Sequence, residues 1–203
     1  MVRRTIIILS VFTAAVFAGG CSSNRTDLDF RSMTSDAVLP AKYSVRAYIP
    51  TDRNTCDVYL SDLPADRLIN LADPLTDLAG TVVHFHVFLM PEPGQTPIDA
   101  SACNGTVQVL VLTGVRREES PNVAGLFAGG GFWLPSSDAG DAVFSGSMLD
   151  ATLRLARAAP GFTDRLGAAR MSGSFDAPRN DDLARALAAR IEAVSAGLTA
   201  VAK

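Results

Sequence analysis

The chain has 203 residues, with 18 Lys and Arg against 21 Asp and Glu and a net charge of −3. No basic run stands out, which excludes the electrostatic footprint of a nucleic-acid binder. The length suits one domain of ordinary size with a proper core. The 48 % hydrophobic content is inflated by the N-terminal segment and does not indicate a membrane core.

Arg3 and Arg4 precede an apolar run from Ile6 to Phe17, then three small residues, Ala18, Gly19 and Gly20, and then Cys21. A positive n-region, a short h-region and a small-residue cleavage site make up the layout of a secretory signal. The apolar run is shorter than the roughly 20 residues a spanning helix needs. Met1 to Ser23 resembles the signal and lipobox of bacterial lipoproteins, with Ala18 where leucine is usual. The resemblance implies cleavage before Cys21, a diacylglycerol on its thiol and an acylated (palmitate-type) amine. Ser22 and Ser23, where an aspartate would signal inner-membrane retention, imply the outer membrane in a two-membrane host. Loss of Arg3 and Arg4 takes the net charge from −3 to −5. The expected organisation is a signal peptide over 1–20, the lipidated cysteine and a flexible polar tether over 21–39, and a single β-rich domain over 40–203.

From Lys42 the periodicity is that of strands. Tyr43, Val45, Ala47 and Ile49 alternate with polar neighbours up to Pro50, and a turn leads to a second strand, Cys56 to Leu60. Pro64 opens one helical turn through Leu68. Thr81 to Met90 is apolar on both faces, as a central strand is, and ends at Pro91-Glu92-Pro93-Gly94. Thr106 to Leu112 follows, then a charged turn through Arg116-Arg117-Glu118-Glu119. Val123 to Leu134 carries Gly125, Gly129, Gly130 and Gly131, which predicts a bulged or strongly bent strand. Ala142 to Ala158 and Arg165 to Phe175 form a long hairpin. The chain closes with a helix from Asp181 to Ala196, capped by Asn180, with Leu183, Leu187, Ile191 and Val194 on one face and Gly197 at its end. The expected fold is mainly β: an antiparallel β-sandwich or open barrel of about seven strands with one C-terminal packing helix.

With Cys21 lipidated, Cys56 and Cys103 are the only pair left for a disulfide, which export favours. The chain's only two histidines, His84 and His86, sit two apart on one strand and project from the same face. Two imidazoles so placed, with Glu92 completing the set, offer a site for a divalent transition metal. Gly80, His84, His86, Glu92 and Gly94 resemble the first half of the cupin motif. The glycine is too close to the first histidine, the glutamate comes late, and the histidine ligand of a second cupin motif has no counterpart. Phe127, Phe132 and Trp133 flank the glycines and are read as core packing, with the wall of an apolar groove as the alternative. Asn104-Gly105-Thr106 matches a glycosylation sequon and reads as a turn. Ser145-Gly146-Ser147 and Ser172-Gly173-Ser174 lack the strand–turn–helix setting of a nucleophile elbow.

The function expected from these features is that of a lipid-anchored cell-envelope protein without a complete catalytic set. It is read as a binding or structural module whose partners are the membrane and an unknown protein or small apolar ligand. The alternatives are a metal-binding protein or metal-dependent enzyme at His84, His86 and Glu92, and a hydrophobic-ligand carrier with Gly125 to Trp133 as its wall.

Overall fold

The computed structural model describes residues 26–75, 77–88, 103–114 and 123–202. Among them, nine strands form one sheet: β1 (Asp27–Ser32), β2 (Val45–Asp52), β3 (Thr55–Ser61), β4 (Ala79–Val87), β5 (Gly105–Thr113), β6 (Ala124–Pro135), β7 (Val143–Ala158), β8 (Ala169–Pro178) and β9 (Thr199–Ala200). Two helices accompany them, α1 (Ala65–Ile69) and α2 (Asp181–Ala196). All ladders are antiparallel, in the order β1-β8-β7-β6-β5-β4-β3-β2, with β9 added to the end of β7. The sheet curls into a half-barrel. Strand β2 returns against the end of β8 through a single parallel bridge, Tyr48 to Arg179, and through an ion pair between Arg46 and Asp176.

The mainly β, antiparallel expectation holds at this level, but the seven-stranded sandwich does not. A single curled sheet packs its concave face against itself, so no second sheet is needed. Val83, Phe85 and Val87 of β4 point inward with Val107, Val109 and Phe127. Their alternates, Val82, Leu110 and Leu126, point outward and are covered by Leu187 and Ile191 of α2. That explains why β4 is apolar on both faces: each side meets its own core.

One of the additional strands lies in the expected tether. Leu28 and Phe30 alternate with polar neighbours and are buried, and β1 pairs with β8 from Asp27 opposite Ser174 to Ser32 opposite Ala169. The Phe30 ring meets Phe127 edge-on at 5.8 Å. Two large apolar side chains in alternation are enough for a six-residue edge strand, although the segment is polar on average.

The curl has a local cause in β6 and β7. A Cβ on Gly129 would lie 1.8 Å from the carbonyl oxygen of Thr152, and one on Gly131 would lie 2.6 Å from Cα of Ala151. The two strands approach more closely than any side chain there permits. The β6–β7 register shifts between Phe132 and Trp133, and the β7–β8 register between Met148 and Ala151. Bulges of this kind increase bend and twist.

The bridge expected between Cys56 and Cys103 is not formed, and both thiols are free. Cys56 is buried in the concave core beside Val58. Cys103 is exposed, and its sulfur lies 2.8 Å from where a Cβ of Gly130 would stand, on the convex side. The sheet separates the two sulfurs. Burial, with the charge of Asp57 adding to it, pushes the Cys56 thiol up to about 12, so it has no thiolate character near neutral pH.

Gly129→Ala is expected to lower stability by about 1–3 kcal/mol or more, because backbone must move to admit the methyl. Gly197→Ala, whose nearest contact would be an ordinary 3.6 Å, is expected to change it by less than about 1 kcal/mol. Urea unfolding of the two variants checks both values.

Candidate functional site

The convex face carries the two histidines. Strand register sets Asp57 of β3 opposite His86 and Tyr59 opposite His84, and Gln108 of β5 flanks His84 on the other side. His84 Nε2 and His86 Nδ1 each lie 2.8 Å from the same oxygen, Oδ1 of Asp57. A carboxylate only accepts, so each of those ring nitrogens carries a proton and donates. In the neutral rings this leaves the lone pairs on His84 Nδ1 and His86 Nε2, away from Asp57. Burial pushes the Asp57 carboxyl up, and the hydrogen bonds and charges of the two histidines outweigh that, so it titrates below its ordinary value. The His84 ring stacks on Tyr59 at 4.6 Å with the planes 4° apart.

Helix α2 forms the other wall of this region. Asn180 accepts from the N–H of Leu183 at 3.1 Å, the N-cap its sequence position predicts. The buried stripe includes Ala184, Leu187 and Ile191 and, unexpectedly, Arg190, which is only 2 % exposed. Its guanidinium donates to the carbonyls of Leu68 (3.0 Å), Asp73 (2.7 Å), Arg67 (3.1 Å) and Asn70. These carbonyls lie at the end of α1 and in the loop beyond it, and that of Asn70 also accepts from the N–H of Asp73 at 2.8 Å. Arg190 thus fixes α2 to α1 and fixes the height of α2 above the sheet. Burial lowers its own proton affinity, and the Asp73 charge offsets part of this. Between α2 and the sheet lies a cleft of about 430 Å³, walled by His84, Gln108 and Arg157 on the sheet and by Ala188, Glu192 and Ser195 on the helix.

A second cavity, about 440 Å³, opens at one end of the half-barrel. Leu39, Val111, Phe127, Phe162 and Leu166 line it, with Arg165 at its edge. Phe162 lies in the turn between β7 and β8. Its ring meets Phe127 at 6.4 Å and occupies the space a side chain on Gly125 would need.

No protein-family model, curated protein or solved structure matches the chain. Of the candidate groove residues, Phe127 lines a cavity and the other two do not. Trp133 is fully buried and stacks on Phe175 at 4.2 Å, and Phe132 is buried. Asn104, read as a turn sequon, is buried; its amide donates to the carbonyl of Trp133 at 2.8 Å and accepts from that residue's N–H at 2.6 Å. Cys21, Glu92 and Gly94 lie outside the described residues. His84 and His86 do converge, but on Asp57. Among the described residues, no three His, Cys, Asp or Glu side chains are disposed to hold a metal ion.

Sequence reasoning missed Asp57, Arg190 and Phe162. Pairing the Tyr43–Ile49 and Cys56–Leu60 strands with the β4 strand would have placed Asp57 on the histidine face, because it alternates with Cys56 and Val58. For Arg190 the signal was an arginine within the apolar stripe of α2.

A carboxyl whose pKa is lowered on folding adds stability above its unfolded pKa, and that stability is lost as pH falls through the folded value. Asp57→Asn is therefore expected to cost about 1–2 kcal/mol near neutral pH. The wild-type advantage should shrink as pH falls from about 5 toward 2, through and below the ordinary carboxylate value. Urea midpoints of both proteins across that range check it.

Proposed function

We propose that the chain is a lipid-anchored protein of the cell envelope that binds a small apolar ligand in the end cavity of its half-barrel. The observation that carries the binding reading is that cavity: about 440 Å³, in the size range of small-molecule sites, with aliphatic and aromatic walls at Leu39, Val111, Phe127, Phe162 and Leu166. Burying a ligand's hydrocarbon surface there contributes about 25 cal/mol per Å² before the costs of association. Arg165, which makes no ion pair with a described residue, stands where a polar end of the ligand would emerge.

The anchor reading rests on Arg3, Arg4, the Ile6 to Phe17 run and Cys21. Strand β1 begins at Asp27, so six residue steps separate it from Cys21, a span of at most about 22 Å. A triacylated cysteine holds a domain on a membrane durably, whereas one acyl chain does not. The register of β1 runs from its start opposite Ser174 to its end opposite Ala169, and the cavity lies at that second end, beside the 161–166 turn. The ligand would thus enter from the sheet end opposite the one where the chain comes from the anchor. In a two-membrane host this reading places the protein on the outer membrane.

The test uses a Cys21→Ser chain without its signal, free of detergent, titrated with the apolar fluorophore N-phenyl-1-naphthylamine. Saturable binding at one site is expected. Phe162→Asp, which puts a charge in the wall, should weaken it about tenfold or more, equivalent to roughly 1.4 kcal/mol. Ile69→Asp, at an exposed position on α1, should leave it unchanged. Non-saturable binding, or equal binding by the Phe162 variant, would contradict the proposal.

A further inference from the structure

The cleft under α2 is separate from the end cavity, and its chemistry is different. Two opposite charges face it from opposite walls: Arg157 on β7 and Glu192 on α2. Neither makes an ion pair with a described residue, although both border the same space. Between them Ala128, Ala156 and Ala188 leave room that larger side chains would fill, beside the polar side chains of His84 and Gln108.

The helical wall is electronegative for a second reason. Glu192 and Ser195 lie in the last turns of α2, at the negative end of the helix dipole, although the Val194 and Ser195 carbonyls there accept from the N–H groups of Gly197 and Leu198. A basic residue would offset that negative end, and the last turn of α2 has none. Ser195 Oγ is shielded from solvent and has no hydrogen-bond partner, leaving a hydroxyl at that end that can accept from an ammonium or donate to a carboxylate. The sheet wall has the opposite character at Arg157 and is held in place. Arg157 pairs with Ala200 of β9, so the chain returning from α2 pins the helix end to β7. On the other side His84 is fixed between Asp57 and the Tyr59 ring.

We infer that this cleft binds a small zwitterion of the amino-acid class, with its ammonium at Glu192 and the C-terminal end of α2 and its carboxylate on Arg157. A simple cation would meet Arg157, and a simple anion would meet Glu192 and the helix terminus. Only a ligand carrying both charges satisfies both walls. The volume of about 430 Å³ admits a molecule the size of an amino acid or a dipeptide.

The experiment is a thermal-shift screen of the full-length chain in nonionic detergent against individual L-amino acids, followed by calorimetry on any that stabilise it. Detergent occupying the end cavity does not compete, so failure here is distinguishable from failure of the apolar-ligand reading. At least one amino acid is expected to raise the melting temperature and to bind at one site. Its N-acetyl and its amide derivatives should each bind at least about tenfold more weakly. Glu192→Gln should remove the penalty for N-acetylation, and Arg157→Gln the penalty for amidation; both residues are exposed, so the fold tolerates the changes. Three results would overturn the inference: no amino acid stabilising the protein at millimolar concentration, equal binding of the N-acetyl derivative, or binding indifferent to both variants.

Discussion

The close approach of β6 and β7 at Gly129 and Gly131 is the constraint on which the rest depends. Where a Cβ would fall 1.8 Å from a carbonyl oxygen, only hydrogen fits, and the sheet bends there. The bend gives a nine-stranded sheet two unlike faces. Its concave face is filled by stacked aromatics, Phe85, Trp133 and Phe175 among them, until the filling runs out at the end lined by Phe127 and Phe162. A flat sheet would offer neither an enclosed core nor an unfilled end.

The convex face would be exposed and apolar without α2, and α2 would be free to shift without Arg190. A buried guanidinium is costly unless its donors are matched. Here four carbonyls at the end of α1 and in its following loop accept from it. The result is a rigid spacing between helix and sheet, and that spacing holds the cleft between His84, Arg157 and Glu192 open. The Asp57, His84 and His86 cluster has the same logic at smaller scale. One carboxylate oxygen orients two imidazoles and so decides which nitrogens keep a lone pair.

Much of this was legible in the sequence, and the gaps have physical reasons. Period-two alternation placed β2, β4, β5 and β6, and the glycines of β6 announced its bend. Asn180, Asp181 and Gly197 bounded α2 correctly. Strand β1 was missed because edge strands need few apolar residues, and Leu28 and Phe30 are isolated in a polar stretch. A sandwich or open barrel was expected from about seven antiparallel strands and one packing helix, a pattern that a helix-covered curled sheet produces equally well. The pairing of His84 with His86 followed from spacing alone, but Asp57 as their partner depends on cross-strand register, which no local pattern encodes. The side of the sheet each cysteine occupies is likewise a matter of register, and there the expected disulfide failed.

The proposed ligand site is the unfilled end of the concave core. Methyl-resolved NMR of the unacylated chain titrated with 1-decanol tests it most directly. Saturable shifts and intermolecular contacts are expected at the methyl groups of Leu39, Val111 and Leu166, with Val58 and Val83 deep in the core unmoved. Shifts absent at saturating decanol, or scattered over exposed positions such as Leu71 and Val201, would contradict it.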